Sequence, residues 1–331
     1  MQMIDAEQVN RSLNFPTLIE ALATGFAQNF GMPRRQVYAL SPDPDCHDGF
    51  AVLPAWNQEV VGVKAFTYFP ENSAHHLPTL FSKILLFSRA HGQPLAMIDG
   101  TSVTYWRTAA VSALAARYLA RPESITLLLL GTGNLAKPLI AAHVHEHAIM
   151  HIWVWGRNEA KAQSLIAELA LLYPEISFLF AKELNACVQQ ADIIVSATGS
   201  AAPLVLGEYV RPGTHIDLLG NHSQDRRECD TLCVERSTVF VDYRENVLNE
   251  AGELLIPIAE GRFQAEAIRA DLSQLCNDAS VRRSHRDEIT LFKSVGTALS
   301  DLIAAHVVYK ENMQENKIEE RLMPTSNKGE N

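Results

Sequence analysis

The chain has 331 residues, 47% of them hydrophobic and 20% charged, with a formal net charge of -10. That length supports two domains with substantial cores, and the acidic balance, without any basic stripe, argues against nucleic acid or an anionic membrane surface as a partner. No apolar run approaches the roughly 20 residues of a membrane helix, and Met1-Gln2-Met3-Ile4-Asp5 lacks the regions of a signal peptide, so a cytoplasmic protein is expected. The cysteines, Cys46, Cys187, Cys229, Cys233 and Cys276, are scattered and odd in number, as expected of reduced thiols. Cys229 and Cys233 are the only close pair and have no second pair or nearby histidine, so no metal site is expected.

In chain order, a helix is predicted around Phe15 to Phe30, then a turn at Ser41-Pro42-Asp43-Pro44-Asp45. Phe50 to Leu53, Val60 to Val63 and Lys83 to Phe87 read as strands, and Gly92-Gln93-Pro94 as a hairpin-like turn before a strand at Leu95 to Ile98. Together they form an α+β unit. A helix from about Thr104 to Leu119 leads across Arg121-Pro122 into a different pattern, in which strands and helices alternate. There Leu127 to Leu130 runs into Gly131-Thr132-Gly133-Asn134-Leu135-Ala136 and a helix. His151 to Trp155 completes a βαβ unit, and Asp192 to Val195 follows the next helix. Gly131 permits a tight turn, Gly133 lets backbone approach a pyrophosphate, and small Ala136 lets the helix pack on the strand while its free N–H groups face the anion. The fold class is therefore α/β, a Rossmann-type dinucleotide-binding domain at about 121–294, beside an α+β domain of 1–120 completed by 295–331. Thr297 to Tyr309 is apolar on a helical period, and the polar residues from Lys310 are expected to fray.

Beyond the second Rossmann strand stands Gly156-Arg157-Asn158 rather than an acidic residue. A carboxylate there would bind the ribose hydroxyls of NAD, whereas Arg157 can form charge-assisted bonds to a 2′-phosphate, so NADPH is favoured over NADH. His143, His145, His147 and His151 suggest a metal cluster at first sight. Alternate helix residues diverge, however, and a solvated helix end is the expectation. The first domain sets Arg34, Arg35, Lys64 and Arg107 in apolar context, where each needs a partner: a bound carboxylate, or an ordinary ion pair.

Several ordered motifs resemble the ornithine cyclodeaminase/μ-crystallin family. They are Val61 to Lys64 with Phe69 to Asn72, Leu77-Pro78-Thr79, Asp99-Gly100-Thr101, the run from Arg107 to Ala116, the Gly131 turn, Ala191 to Thr198, Arg211 to His215 and Asp287 to Gly296. The resemblance implies a homodimer joined through the first domain, with a small cyclic imino acid or amino acid bound between the domains. It implies that Arg35 (with Arg34 the alternative), Lys64 and Arg107 hold the substrate carboxylate and orient its nitrogen. The cofactor would lie against Thr108, Gly131, Gly133, Asn134, Leu135, Arg157, Asn158, Ser196, Thr198, Lys293 and Ser294, the last two beside the nicotinamide. Two departures matter. Where the family's cyclodeaminases carry an Asp and a Glu, this chain has His222 and Ala51. Cyclodeamination needs proton acceptors at several steps, whereas reduction of a cyclic ketimine needs one proton, which His222, with an ordinary pKa of about 6.5, or Lys64 can supply. The expected activity is NADPH-dependent reduction of Δ1-pyrroline-2-carboxylate to L-proline, extending to Δ1-piperideine-2-carboxylate and L-pipecolate. The alternatives are an ornithine or lysine cyclodeaminase, an alanine-type dehydrogenase, or a non-catalytic NADPH-binding protein like μ-crystallin.

Overall fold

The structure, a computed structural model, describes residues 1–43 and 46–322. The predicted turn at 41–45 thus lies partly outside the described residues, as does the tail from 323. The first sheet has six strands: β1 (Gln2–Ile4), β2 (Gln36–Ala39), β3 (Gly49–Trp56), β4 (Val60–Tyr68), β5 (Leu80–Ser88) and β6 (Pro94–Asp99). Their order is β1-β6-β5-β4-β3-β2, antiparallel except for the β1–β6 pair. Alternation along β3 and β4 puts Ala51, Leu53 and Ala55 beside Phe66, Lys64 and Gly62 on one face. Helices α1 (Ala6–Ser12), α2 (Phe15–Ala27) and α3 (Gly100–Leu119) complete this unit. The last begins earlier than the sequence pattern suggests, because the Asp99 side chain caps it by accepting from the Ser102 N–H.

The second sheet has eight strands, all parallel, in the order β13-β12-β14-β11-β10-β7-β8-β9. The chain runs β7 (Thr126–Leu130), α4 (Ala136–Glu146), β8 (His151–Trp155), α5 (Glu159–Leu172), β9 (Ser177–Phe180), α6 (Leu184–Gln190) and β10 (Ile193–Ser196). It continues through β11 (His215–Leu218), α7 (Thr231–Glu235), β12 (Thr238–Val241), α8 (Arg244–Glu250), α9 (Gly252–Ala259), β13 (Ala270–Asp271), α10 (Leu272–Asn277) and β14 (Thr290–Lys293). β7 is buried along its whole length, as a central parallel strand must be. Strand order reverses beside it, so a crevice opens between the C-terminal ends of β7 and β10, where dinucleotides bind in sheets of this kind.

Helix α11 (Ala298–Leu322) returns to the first unit and packs on α2, α3, β3 and β4. The predicted fraying from Lys310 is not what the structure has: the helix continues to Leu322. Lys310 pairs with Glu59 at 2.8 Å, and Asn312 donates to the Ser12 hydroxyl at 2.7 Å, so tertiary anchors tie the first turn past Lys310 to the first unit. The histidine expectation is also corrected. His143 is fully buried, bonded to Ser112 at 2.8 Å, and burial lowers its imidazole to about 3. It is a neutral core residue, because α4 turns this face onto α3 rather than to solvent. Among the described residues no group of His, Cys, Asp or Glu is arranged to hold a metal, all five cysteines are free thiols, and no helix is long and apolar enough to cross a membrane.

Candidate active site

The Gly131 turn sits at the mouth of the crevice. Gly131 has φ +117, and a Cβ there would lie 2.6 Å from the Ala197 carbonyl oxygen, so only glycine brings β7 and β10 together at this point. In front of Gly133 there is open space, and α4 starts at Ala136, its N-cap Leu135 supplying no side-chain cap. Unclaimed N–H groups beside empty space fit a pyrophosphate. Asn134 bonds the Tyr105 hydroxyl at 2.9 Å, tying the turn to α3. At the end of β8, Arg157 is exposed and makes no ion pair among the described residues, while Asn158 caps α5 by accepting from the Lys161 N–H.

Ser196 and Thr198 lie at the β10 end of the same crevice, but their hydroxyls are turned inward. Both donate to Glu228 Oε1, at 2.6 and 2.8 Å, and the Thr198 and Gly220 N–H groups add 2.7 Å bonds to the same carboxylate. Glu228 is therefore the buried post that shapes this rim, a role no motif marks, since its partners lie 8 to 32 positions away. Lys293 likewise faces inward. It is fully buried, 3.1 Å from Glu253, and donates to the Asn221 carbonyl at 2.7 Å, so its ammonium holds the loop that carries His222. Ser294 donates to Asp242, and Thr108 is buried one position after Arg107.

Between the two sheets lies a cleft of about 1140 Å³, whose walls include Arg35, Ala51, Phe66, Tyr68, His222 and Glu250. Arg35 and Arg34 part ways here. Arg35 points inward, donating to the Gly296 carbonyl at 2.6 Å and pairing with Glu250 at 3.2 Å; Arg34 bonds Asn249 at the exposed rim. His222 presents open surface to the cleft while being set deep among protein atoms. Lost hydration, then the charges of Lys293 and Arg35, hold its imidazole below the ordinary value used in the sequence expectation.

Lys64 and Arg107 meet on a residue that sequence reading passed over. Asp301 Oδ1 accepts from Lys64 Nζ at 3.1 Å and from Arg107 Nε at 3.0 Å, and all three side chains are buried. Burial lowers Lys64 to about 8, with Asp301 opposing and Arg107 reinforcing the shift. Burial would raise the Asp301 carboxyl, yet Arg107 and Lys64 hold it below its usual range. Its other oxygen, Oδ2, has no partner among the described residues. The signal was present: Asp301 is the one acidic residue in the apolar run from Thr297 to Tyr309, and a buried charge must be paired.

A switch-point crevice suited to a dinucleotide, together with a cleft lined by Arg35 and a buried Lys64–Arg107 pair on the segment Arg35 grips, defines a nucleotide-dependent oxidoreductase. The chain belongs to the ornithine cyclodeaminase/mu-crystallin family, whose profile matches residues 1–317. It is similar to the Δ1-pyrroline-2-carboxylate reductase of Colwellia psychrerythraea, 54% identical over 313 residues that span 94% of this chain and 99% of that protein. The Δ1-pyrroline-2-carboxylate reductase of Thermococcus litoralis, solved with NADH and L-proline, matches it with a TM-score of 0.89 at 30% identity, covering 96% of this chain and 98% of that one. An archaeal alanine dehydrogenase dimer with bound NAD matches with a TM-score of 0.87 at 25% identity, covering 96% and 97%. The chain is an oxidoreductase acting on a carbon–nitrogen double bond.

Proposed function

We propose that this enzyme reduces Δ1-pyrroline-2-carboxylate to L-proline with NADPH, and Δ1-piperideine-2-carboxylate to L-pipecolate. The observation that carries the reading is the meeting of Arg35, Lys64 and Arg107 around the 294–301 segment, next to a cleft lined by Arg35 and, where Ala51 leaves room, an apolar wall with Phe66 and Tyr68. The guanidiniums bind the substrate carboxylate, and the apolar wall faces the ring methylenes. The nicotinamide, when bound, supplies a hydride to the carbon bearing the carboxylate. One proton goes to the ring nitrogen, and the C=N double bond becomes a C–N single bond.

Two groups can hold that proton. Lys64, lowered to about 8, is still protonated at neutral pH and gives up its proton far more readily than a free lysine. Burial and the charges of Lys293 and Arg35 lower the proton affinity of His222, and a carboxylate bound beside Arg35 raises it again. No carboxylate stands at position 51, where a second nitrogen's proton would need an acceptor, which disfavours cyclodeamination. NADPH preference is assigned to the unpaired Arg157.

The protein works as a homodimer in this reading. The outer face of the first sheet carries Met3, Trp56 and Phe81 at 62%, 40% and 50% exposure, an apolar surface of the kind that subunits cover. Nicotinamide oxidation followed with Δ1-pyrroline-2-carboxylate, with pyruvate plus ammonia, and ammonia release from L-ornithine tests the assignment. Turnover of the cyclic imine alone is expected; ammonia release from ornithine refutes it. Arg157→Ala is expected to raise the NADPH KM at least tenfold and leave the NADH KM within twofold.

A further inference from the structure

The segment that leads from β14 into α11 is held from below by a residue that does not line the cleft. Asp242, at the end of β12, is 1% exposed. Its Oδ2 accepts from the Ser294 hydroxyl at 2.7 Å, the Val295 N–H at 3.0 Å and the Gly296 N–H at 2.7 Å, while Oδ1 accepts from the Tyr243 N–H at 2.8 Å. With three donors on one oxygen, the turn has a single seat. Its carbonyls therefore point away from Asp242, and Arg35 grips them: Nη2 reaches the Gly296 oxygen at 2.6 Å, and both terminal nitrogens reach the Val295 oxygen at 3.3 Å. Gly296 has φ +84, and a Cβ on it would lie 3.0 Å from Arg107 Nη1, so the turn also occupies the gap between the two guanidiniums.

We propose that Asp242 is a positioning residue for substrate binding, acting through the Ser294–Gly296 turn to fix the guanidinium of Arg35 in the cleft. This rests on the reading that Arg35 holds the substrate carboxylate. Arg35 comes from the first domain and Asp242 from the second, so the turn carries the register of one domain to a binding group of the other. An amide at 242 has only one acceptor oxygen, so one of its two faces must turn N–H toward N–H donors. The turn then loosens, and Arg35 loses its fixed geometry without being removed.

The test is a double-mutant cycle of Asp242→Asn and Arg35→Ala. It is read as imine KM, kcat, direct L-proline binding by calorimetry, NADPH Kd by fluorescence, and melting temperature. Asp242→Asn is expected to raise the imine KM and the proline Kd about tenfold, with kcat and NADPH Kd within twofold. In the Arg35→Ala background the same change is expected to add less than twofold. Independent, multiplicative effects in the double variant overturn the proposal, as does an unchanged KM in Asp242→Asn. A parallel loss of NADPH binding overturns it too, since a merely structural role affects both ligands. If Asp242→Asn does not fold, Ser294→Ala, which removes one of the three donors, is expected to give a smaller KM rise that again disappears in Arg35→Ala. Arg35→Ala with an unchanged imine KM refutes the carboxylate role of Arg35 itself, a failure separate from that of Asp242.

Discussion

Replacing Asp301 by Asn tests the buried cation cluster directly. The carboxylate is shared by Lys64 and Arg107, with all three side chains buried, and removing one member of such a set costs about 3–5 kcal/mol. The two cations do not divide that cost equally. Arg107 cannot shed its proton, whereas Lys64, already at about 8, can. Without Asp301 the Lys64 pKa falls further. At pH 7 the extra cost at Lys64 is limited to that of releasing a proton held at about 8, roughly 1 kcal/mol, and above pH 8 it vanishes because the ammonium is already deprotonated in the parent. The remainder sits on Arg107 and does not change with pH. The folded pKa of Lys64 is depressed, so the unfolded chain binds the extra proton, and stability rises with pH between the folded and unfolded values. The variant's window opens lower, and its deficit relative to the parent therefore shrinks as pH rises from 6 to 8. Denaturant titrations of both proteins from pH 6 to 9 are expected to show a deficit falling by roughly 2–3 kcal/mol toward a constant value. For 331 residues the total deficit corresponds to a melting-point drop of about 4 to 7 °C at neutral pH. The alkaline limb of kcat is expected to move to lower pH if Lys64 donates the proton. A deficit that is flat across this range refutes the account of Lys64, and a fully stable variant refutes the cluster.

Other outcomes follow from the same geometry. Arg107→Ala is expected to raise the imine KM by about 10- to 100-fold, the worth of a charged hydrogen bond, with NADPH Kd unchanged; equal losses in both would assign Arg107 to cofactor or fold. Gly131→Ala places a methyl 2.6 Å from the Ala197 carbonyl at φ +117, so it is expected to weaken NADPH binding strongly in fluorescence titration and to lower the melting temperature. His143, lowered to about 3 by burial, must take up a proton when the protein unfolds in acid, so stability falls as pH drops below about 6.5. His143→Gln is expected to remove up to about 1.4 kcal/mol per pH unit of that fall, and an unchanged acid profile in urea titrations would show that the imidazole is not held neutral.

Much of the fold was legible because local chemistry wrote it. The apolar run at Leu127–Leu130, the glycines at 131 and 133 and the small Ala136 allow few structures besides a strand, a phosphate-binding turn and a helix, since sterics at a positive φ and burial of a central strand act over a handful of residues. The basic residues of the first domain were legible as charges in need of partners. Their partners were not. Asp301 and Glu250 lie 237 and 215 positions from Lys64 and Arg35, respectively, and nothing local distinguishes a carboxylate that will meet a distant cation from one that will meet water. The same holds for Lys293, whose buried ammonium meets Glu253, and for His143, expected at a solvated helix end but buried against α3. The continuation of α11 past Lys310 was not legible for a related reason, because Lys310 and Asn312 meet Glu59 and Ser12 in other elements. Sequence by itself determined the two-part α/β architecture and the residue types available for chemistry, because period, turn sterics and burial are short-range. The tertiary structure alone decided which cation faces the cleft, which carboxylate holds it, and how far its proton affinity moves, because desolvation and Coulomb interaction depend on distances that only the packed chain sets.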